Sequence, residues 1–216
     1  MKAIAKGAEP QSLIAHRHTD HCNYENYASK DELRRALVTE QGALCCYCMG
    51  RIRNDQNAMK IEHWHSQARY PNEQLTFRNL LGACIGGEGQ PGHLQHCDSR
   101  KGDSDLLWNP ADPGHHIETR IRYEFDGSIR SDEPIFDAQL REVLNLNLAW
   151  LKNSRKGVLD AILGWWKGEK ARLRGPVPRA WFVRERDARI RGDRDLQPYC
   201  QVAVWWLEQR LASVPT

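Results

Sequence analysis

Apolar residues follow a helical spacing in the early part of the chain. Leu33, Ala36 and Leu37 lie three or four positions apart, which is the spacing of one face of an α-helix. Ser29 comes directly before this run and suits the N-cap, because a serine side chain can accept a bond from a free backbone N–H there. The pattern therefore predicts a helix over residues 30–38.

The helical period returns from Asp137 and continues to Pro176, where a proline interrupts it. Gly157 and Gly164 lie within this region and weaken the prediction of one continuous helix. A last helix is expected from about Leu196. The apolar stripes of these C-terminal helices consist of Leu140, Val143, Leu144, Leu148 and Leu151, then Val158, Leu159, Ile162, Leu163 and Trp166, then Val202, Trp205, Trp206 and Leu211. Packing against the core or against a partner is the preferred interpretation of the tryptophans, and stacking on nucleic-acid bases is the alternative.

Three stretches have the patterns of strands or turns. Residues 61–65 alternate between apolar and polar, which predicts a short strand with Glu62 on one face and His63 and His65 on the other. Residues 106–113 predict a strand or a turn. Residues 117–123 alternate as well, and the Asp-Gly pair that follows is typical of a β-hairpin.

These elements predict an α+β fold that is predominantly helical. We expect an N-terminal arm and helix over residues 1–40, a core over 41–115, and a hairpin with a helical region over 116–216. The arm is expected to be solvated and to pack on the core through Leu13 and Ile14. It also contains a cluster of three histidines and a cysteine, which is better explained as part of this arm than as a metal site: His16, His18, His21 and Cys22.

Four of the seven cysteines form two pairs in the predicted core. Cys45 and Cys48 make a Cys-x-x-Cys, whose short turn lets two thiolates reach one Zn²⁺ ion. Cys84 and Cys97 are the natural second pair, although a glycine-rich loop of twelve residues separates them. The spacing predicts a structural zinc site made of four cysteines, with replacement of one cysteine by His93 or His96 left open.

A second cluster of residues suits metal-assisted hydrolysis. Glu62 is a carboxylate beside His63, and Asp98 lies near the expected start of a helix. Carboxylates hold hard cations such as Mg²⁺ or Mn²⁺, while an imidazole can take a proton from water. Asn79 could brace the loop behind His63, and His65 could contact the phosphate, assist the metal or have a structural role.

These motifs, in this order, resemble the HNH endonuclease family. The resemblance implies a ββα-metal core that cuts phosphodiester bonds with one divalent ion. It depends on Cys45-x-x-Cys48, Glu62-His63, Asn79-Leu80-Leu81, Cys84 and Cys97-Asp98-x-x-Lys101-Gly102. The chain departs from the broad family in having Asp98 where Asn or His is more common, and in its glycine-rich loop.

The resemblance also implies roles for the matching residues. His63 would be the general base, Asn79 would position it, and Glu62 and Asp98 would be ligands of the catalytic ion. Further similarity up to about residue 155 indicates one subgroup, the small HNH nuclease subunits of bacterial Septu anti-phage systems and of related retron-associated cassettes. This subgroup implies an ABC-type, PtuA-like ATPase as partner. DNA is the expected substrate, with transfer RNA as the alternative.

Charge and composition limit what can be concluded about nucleic-acid binding and ATP dependence. The net charge of +3 permits nucleic-acid binding without requiring it. Residues 167–194 carry ten Lys or Arg against four Asp or Glu, which predicts either a charged loop or a surface that follows phosphates. The nucleic-acid-binding residues are predicted to be Lys101, Arg184, Arg186 and Arg189. The chain has no phosphate-binding loop motif, so ATP dependence would come from a partner.

The cysteine usage favours a reducing compartment. Seven cysteines is an odd number, and no apolar run follows Met1, so a disulfide-linked secreted framework is disfavoured. No stretch approaches the length of a membrane-spanning helix. The expected location is therefore the cytoplasm. A nucleic-acid-binding or scaffolding subunit without catalysis is the alternative to a nuclease.

Overall fold

The computed structural model describes residues 1–173, 175–191 and 195–213, in which helices predominate over two small antiparallel sheets. The mixed, mainly helical class predicted from the sequence is confirmed. The helices are α1 (Gln11–His16), α2 (Lys30–Glu40), α3 (Asp98–Lys101), α4 (Pro134–Ala138), α5 (Ala149–Leu173), α6 (Arg179–Ile190) and α7 (Cys200–Ser213). The strands are β1 (Lys60–His63), β2 (Leu80–Ala83), β3 (Arg122–Tyr123) and β4 (Ile129–Arg130).

The N-terminal segment lies closer to the core than the predicted solvated arm. Leu13 in α1 is fully buried, but so is Met1, and Ile4 is almost completely buried. Ile4 also donates its backbone N–H to the carbonyl of Pro110 at 2.9 Å. The helix predicted over residues 30–38 is confirmed as α2, and it begins directly after Ser29.

Strands β1 and β2 form the sheet that carries Glu62 and His63. They pair antiparallel, with Glu62 opposite Leu81 and His63 opposite Leu80. The strand was predicted to reach His65 but ends at His63. Beyond His63, the backbone N–H of His65 donates to the side chain of Asn79 and not to the backbone of a neighbouring strand. His65 therefore lies outside the strand.

The second sheet is the hairpin that Asp-Gly predicted. Gly127 has a φ of +82°, and a Cβ there would collide with the backbone carbonyl oxygen of Lys152, so the turn requires glycine. The strand predicted over residues 117–123 is wrong for most of its length. Ile117 and Ile121 are both buried, and residues Ile117–Arg120 form one 3₁₀ turn in place of a strand. Residues 106–113 form irregular backbone with a turn at Pro110 and Ala111.

The C-terminal region differs from the prediction in where its helices break. The apolar stripe that starts near residue 140 passes from α4 into a π-helical turn (Gln139–Val143), and Asn145 then adopts a φ of +49° before α5 begins. Helix α5 continues through its glycines. The last helix begins at Cys200, somewhat later than expected. The tryptophans in the second half of α5 and in α7 pack on the apolar core, as predicted: Trp165, Trp166, Trp205 and Trp206.

One apolar cluster connects the core cysteines to the C-terminal helices. It extends from Cys45 through Phe136 and Leu159 to Leu207. In addition, Tyr199 donates its backbone N–H to the carbonyl of Met49 at 3.1 Å. The three-part division at residues 40 and 115 stays a prediction, and removal of residues 137–216 would expose the interior of this cluster.

None of the helices that the structure describes combines the length and apolar character needed to cross a membrane.

Candidate functional site

Four cysteine side chains converge at the centre of the chain. Their sulfur atoms all lie within 4.8 Å of one another, and the distances Cys45–Cys97 and Cys48–Cys84 are both 3.8 Å. A tetrahedron with zinc–sulfur bonds of about 2.3 Å places its sulfur atoms about 3.8 Å apart. The cluster could therefore hold Zn²⁺. Within the described ranges, these are the only His, Cys, Asp or Glu residues that bring at least three ligand atoms this close together. The interpretation of the histidine cluster near residue 20 as part of the arm stays a prediction.

The first cysteine pair is held by a tight turn. Cys45 donates its backbone N–H to the carbonyl of Gly50 at 2.8 Å, and Gly50 donates its own N–H to the sulfur of Cys48 at 3.3 Å. Met49 completes the turn with a φ of +65°. An N–H directed at a sulfur stabilises a thiolate, as expected for a metal ligand.

The two histidines considered as alternative ligands have different positions. The Nδ1 atom of His96 lies 3.1 Å from the sulfur of Cys97 and 4.0 Å from that of Cys84. His93 is exposed. His96 therefore neighbours the cluster, while four sulfurs already supply a complete tetrahedral set.

Two carboxylates meet beside this cluster. Glu62 comes from β1 and Asp98 from the first residue of α3, and they lie within hydrogen-bonding reach of each other. Glu62 is 2% exposed; its Oε1 accepts a bond from the Tyr47 hydroxyl at 2.6 Å and pairs with Nζ of Lys101 at 3.0 Å. Asp98 uses its Oδ2 to pair with Lys60 at 2.9 Å. Oδ2 of Asp98 and Oε1 of Glu62 are therefore the carboxylate oxygens that lie closest to these lysine ammonium groups.

The adjacent carboxylates shift each other's pKa values in opposite directions. Burial, followed by the neighbouring Asp98, raises the pKa of Glu62 well above its usual range. Burial opposes ionisation of Asp98 as well, but hydrogen bonds from Glu62 and Lys60 outweigh it and lower the pKa of Asp98. Two such oxygen donors sharing one proton form a set that fits a hard divalent cation, which would replace the proton.

His63 is a neutral imidazole with one free nitrogen. Burial lowers the pKa of His63 to about 4, so it is uncharged at pH 7. Its Nε2 lies 3.0 Å from the backbone carbonyl of Gln74. A carbonyl only accepts, so Nε2 carries the proton and Nδ1 keeps a lone pair. The ring of Tyr24 packs edge-on against this imidazole, with ring centroids 4.5 Å apart.

Asn79 braces the loop that joins β1 to β2. Its Oδ1 accepts from the backbone N–H of His65 at 2.7 Å, and its Nδ2 donates to the carbonyls of His65 at 2.9 Å and Glu73 at 3.3 Å. His65 itself contacts Glu73 through Nδ1 at 2.8 Å and stacks on Tyr70. The side chain of His65 is partly exposed and its Nε2 has no hydrogen bond among the described residues.

The predicted nucleic-acid-binding residues occupy other positions. The Lys101 side chain is completely buried and pairs with Glu62, so this structure does not present it to nucleic acid. Arg186 pairs with Asp187 and Glu208, and Arg189 pairs with Glu185. Arg184 packs over the ring of Trp181. These arginines lie on α6 rather than on a loop, and their binding of nucleic acid stays a prediction.

Tyr47 and Lys60 are site residues that the sequence did not single out. Tyr47 stands inside the Cys-x-x-Cys motif, where an interior aromatic residue normally indicates packing. Lys60 opens β1, two residues before Glu62. Their contacts with the carboxylates depend on how distant segments pack, and only their closeness to the motifs in sequence could have indicated a role.

Comparisons with known proteins agree with the motifs. No protein-family model matches the chain. The Septu protein PtuB of Bacillus thuringiensis is 28% identical over 95 residues, which covers 41% of this chain and 33% of that protein, so the match spans about a third of this relative. A protein of Escherichia coli retron Ec83, named for an HNH endonuclease, is 26% identical over 259 aligned positions, covering 91% of this chain and 96% of the relative. The predicted resemblance is confirmed: the chain is similar to HNH endonucleases and is related to PtuB.

Proposed function

We propose that this chain is a metal-dependent HNH endonuclease that hydrolyses phosphodiester bonds of nucleic acid, DNA by preference. The observation that carries the proposal is the contact between the carboxylates of Glu62 and Asp98, with a neutral His63 directly after Glu62 in β1. A buried and a partly buried carboxylate in contact, together with a base that has a free lone pair, are the groups that metal-assisted hydrolysis needs.

In this proposal β1, β2 and α3 form the ββα-metal core. Glu62 and Asp98 would hold Mg²⁺ or Mn²⁺ through their carboxylate oxygens, and the four cysteines would hold structural Zn²⁺. When bound, the catalytic ion supplies a positive charge that stabilises the scissile phosphate and the leaving oxygen.

The chain's own residues supply the proton transfer. The lone pair on Nδ1 of His63 accepts a proton from the attacking water. The bond from Nε2 to the Gln74 carbonyl holds the tautomer in which Nδ1 is free and stabilises the imidazolium that forms. Asn79 acts indirectly, because its three hydrogen bonds hold together the loop that supplies this carbonyl.

We propose that His65 contacts the substrate phosphate. Its Nδ1 is held by the carboxylate of Glu73, which leaves Nε2 available at a partly exposed surface. With Nδ1 held by Glu73, the ring of His65 would lie against a phosphate oxygen, beside the loop that Asn79 braces.

The relatives indicate a place in bacterial anti-phage defence. Related proteins are named for Septu and for a retron. We propose that the chain is the nuclease subunit of such a system, acts in the cytoplasm and works with an ABC-type ATPase of the PtuA kind. The exposed surface of the C-terminal helices is our candidate docking surface for this ATPase. Surface substitutions should test it better than truncation, since these helices share the apolar core.

The experiment is cleavage of plasmid DNA and of bulk transfer RNA by the purified chain in Mg²⁺ or Mn²⁺, with and without the ATPase. We expect plasmid cleavage that stops when the divalent ion is chelated. Cleavage of transfer RNA alone would replace DNA as the substrate. No cleavage under any condition, in protein that contains zinc, would favour the binding or scaffolding alternative.

A further inference from the structure

Tyr47 connects the cysteine cluster to the catalytic carboxylate. It lies between Cys45 and Cys48, so two zinc-site residues flank it within the same turn. Its side chain is fully buried and its hydroxyl donates to Oε1 of Glu62 at 2.6 Å. The only polar atom of the Tyr47 side chain is thus committed to Glu62, which lies fifteen residues further along the chain.

Lys101, which follows the second cysteine pair in the sequence, contacts the same oxygen of Glu62. It ends α3, the four-residue helix that begins directly after Cys97 and has Asp98 as its first residue. Its completely buried ammonium lies 3.0 Å from Oε1 of Glu62 and donates to the backbone carbonyl of His63 at 3.1 Å. One side chain therefore contacts both a proposed ion ligand and the backbone of the proposed base.

These two contacts restrict Glu62. The Tyr47 hydroxyl and the Lys101 ammonium both contact Oε1, so they hold this oxygen in place and leave Oε2 as the oxygen for a cation. Both donors also sit on segments whose positions depend on the cysteine cluster, one inside Cys-x-x-Cys and one four residues after Cys97. A buried lysine is an unusual choice unless its charge is paired, and here the partner is the carboxylate itself.

We propose that Tyr47 and Lys101 are positioning residues that couple the four-cysteine site to Glu62, so that occupancy of either metal site strengthens binding at the other. This inference rests on the proposed function, because it requires Glu62 to hold a divalent ion. Coupling of this kind is reciprocal: if zinc increases the affinity for the divalent ion, the divalent ion must increase the affinity for zinc by the same factor at equilibrium.

The first test is the affinity of zinc-loaded protein for Mn²⁺, measured by calorimetry. Removal of a group that orients a metal ligand costs on the order of 10- to 100-fold in affinity. We therefore expect Tyr47→Phe, which deletes one hydroxyl, to bind Mn²⁺ roughly 10-fold more weakly, and Lys101→Met to show a larger loss. Tyr27→Phe is the matched control, because Tyr27 is also a buried tyrosine, whose hydroxyl contacts Ser12 instead.

The second test measures transfer of zinc from the protein to a chromophoric chelator, with and without Mg²⁺. In the unmodified chain and in Tyr27→Phe, Mg²⁺ should slow zinc release. In Tyr47→Phe this protection should disappear while the zinc content stays at one ion per chain. A merely structural role of Tyr47 would lower zinc retention equally with and without Mg²⁺.

The outcomes separate the two proposals. If Glu62→Gln leaves Mn²⁺ binding unchanged, the divalent site is elsewhere, and the proposed function and the coupling both fail. If Glu62→Gln abolishes Mn²⁺ binding but Tyr47→Phe and Lys101→Met bind it as tightly as the unmodified chain, the coupling alone is overturned. Weaker binding in both variants, with Tyr27→Phe unchanged, supports it.

Discussion

Replacement of Asn79 by alanine should loosen the loop that carries the hydrogen bond to His63. The buried amide of Asn79 makes three hydrogen bonds to the backbone of His65 and Glu73, at 2.7, 2.9 and 3.3 Å. At about 1 kcal/mol for each bond, the substitution should cost about 3 kcal/mol of unfolding free energy. For a chain of this size, 1 kcal/mol corresponds to about 2–4 °C, so the Tm should fall by about 6–12 °C.

The assay is differential scanning calorimetry, combined with hydrogen exchange of the loop amides. Asn72→Ala is the control, because Asn72 lies in the same loop but is exposed. Activity should decrease as well, by roughly 100-fold, since a small displacement of a catalytic group is costly. A Tm within 2 °C of the unmodified chain, with unchanged exchange of the His65 amide, would refute the role of Asn79 as a brace.

Three further predictions follow from the metal cluster, the imidazole and the basic helix. Removal of zinc by a chelator should lower the Tm by about 8–16 °C, because zinc at a thousandfold excess over its Kd contributes about 4 kcal/mol; elemental analysis should find one zinc per chain, and an unchanged Tm in zinc-free protein would contradict a structural role. Because burial lowers the pKa of His63 from 6.5 to about 4, only the unfolded chain takes up this proton between those values. Acidification from pH 6.5 to 4 without divalent ions should therefore cost up to about 3 kcal/mol, and His63→Asn should show a shallower loss in denaturant titrations; an identical pH dependence would oppose this assignment. Substitution of Arg184, Arg186 and Arg189 by alanine should weaken nucleic-acid binding and lower the salt slope by up to about 3, while binding of Mn²⁺ stays unchanged; equal binding at low salt would exclude this surface.

Local motifs made part of the site predictable. The two cysteine pairs could be expected to converge, because Cys-x-x-Cys forms a turn with limited geometry and few arrangements satisfy four thiolates. The bracing by Asn79 was also predictable, since an asparagine in a polar loop commonly bonds to nearby backbone.

Contacts between segments that are distant in the sequence were harder to predict. Lys101 belongs to a motif at the end of a short helix, and its sequence neighbours do not reveal that Glu62 of β1 lies 3.0 Å from its ammonium. For the same reason, Lys101 was predicted as a nucleic-acid-binding residue, although its side chain is buried. The strand expected over residues 117–123 failed because a short apolar stretch can satisfy either a period of two or a spacing of four, and packing decides between them.

The C-terminal helices were also predictable only in part. The apolar stripes correctly indicated which face of α5 is buried, but they did not reveal the fully buried Arg155, which donates to the carbonyls of Gly127 and Leu146 at 2.6 and 2.7 Å. These acceptors belong to the hairpin and to the segment before α5. A buried arginine of this kind depends on backbone groups from separate elements, which no local pattern describes.

The most direct test of the central claim is plasmid cleavage in Mg²⁺ by the unmodified chain and by His63→Ala, compared at equal zinc content. General base catalysis contributes about 10²- to 10⁴-fold, so the variant should lose at least about 100-fold in rate while its zinc content and Tm remain close to those of the unmodified chain. Cleavage at an undiminished rate by His63→Ala would contradict the assignment of this imidazole as the base and, with it, the proposed catalytic centre.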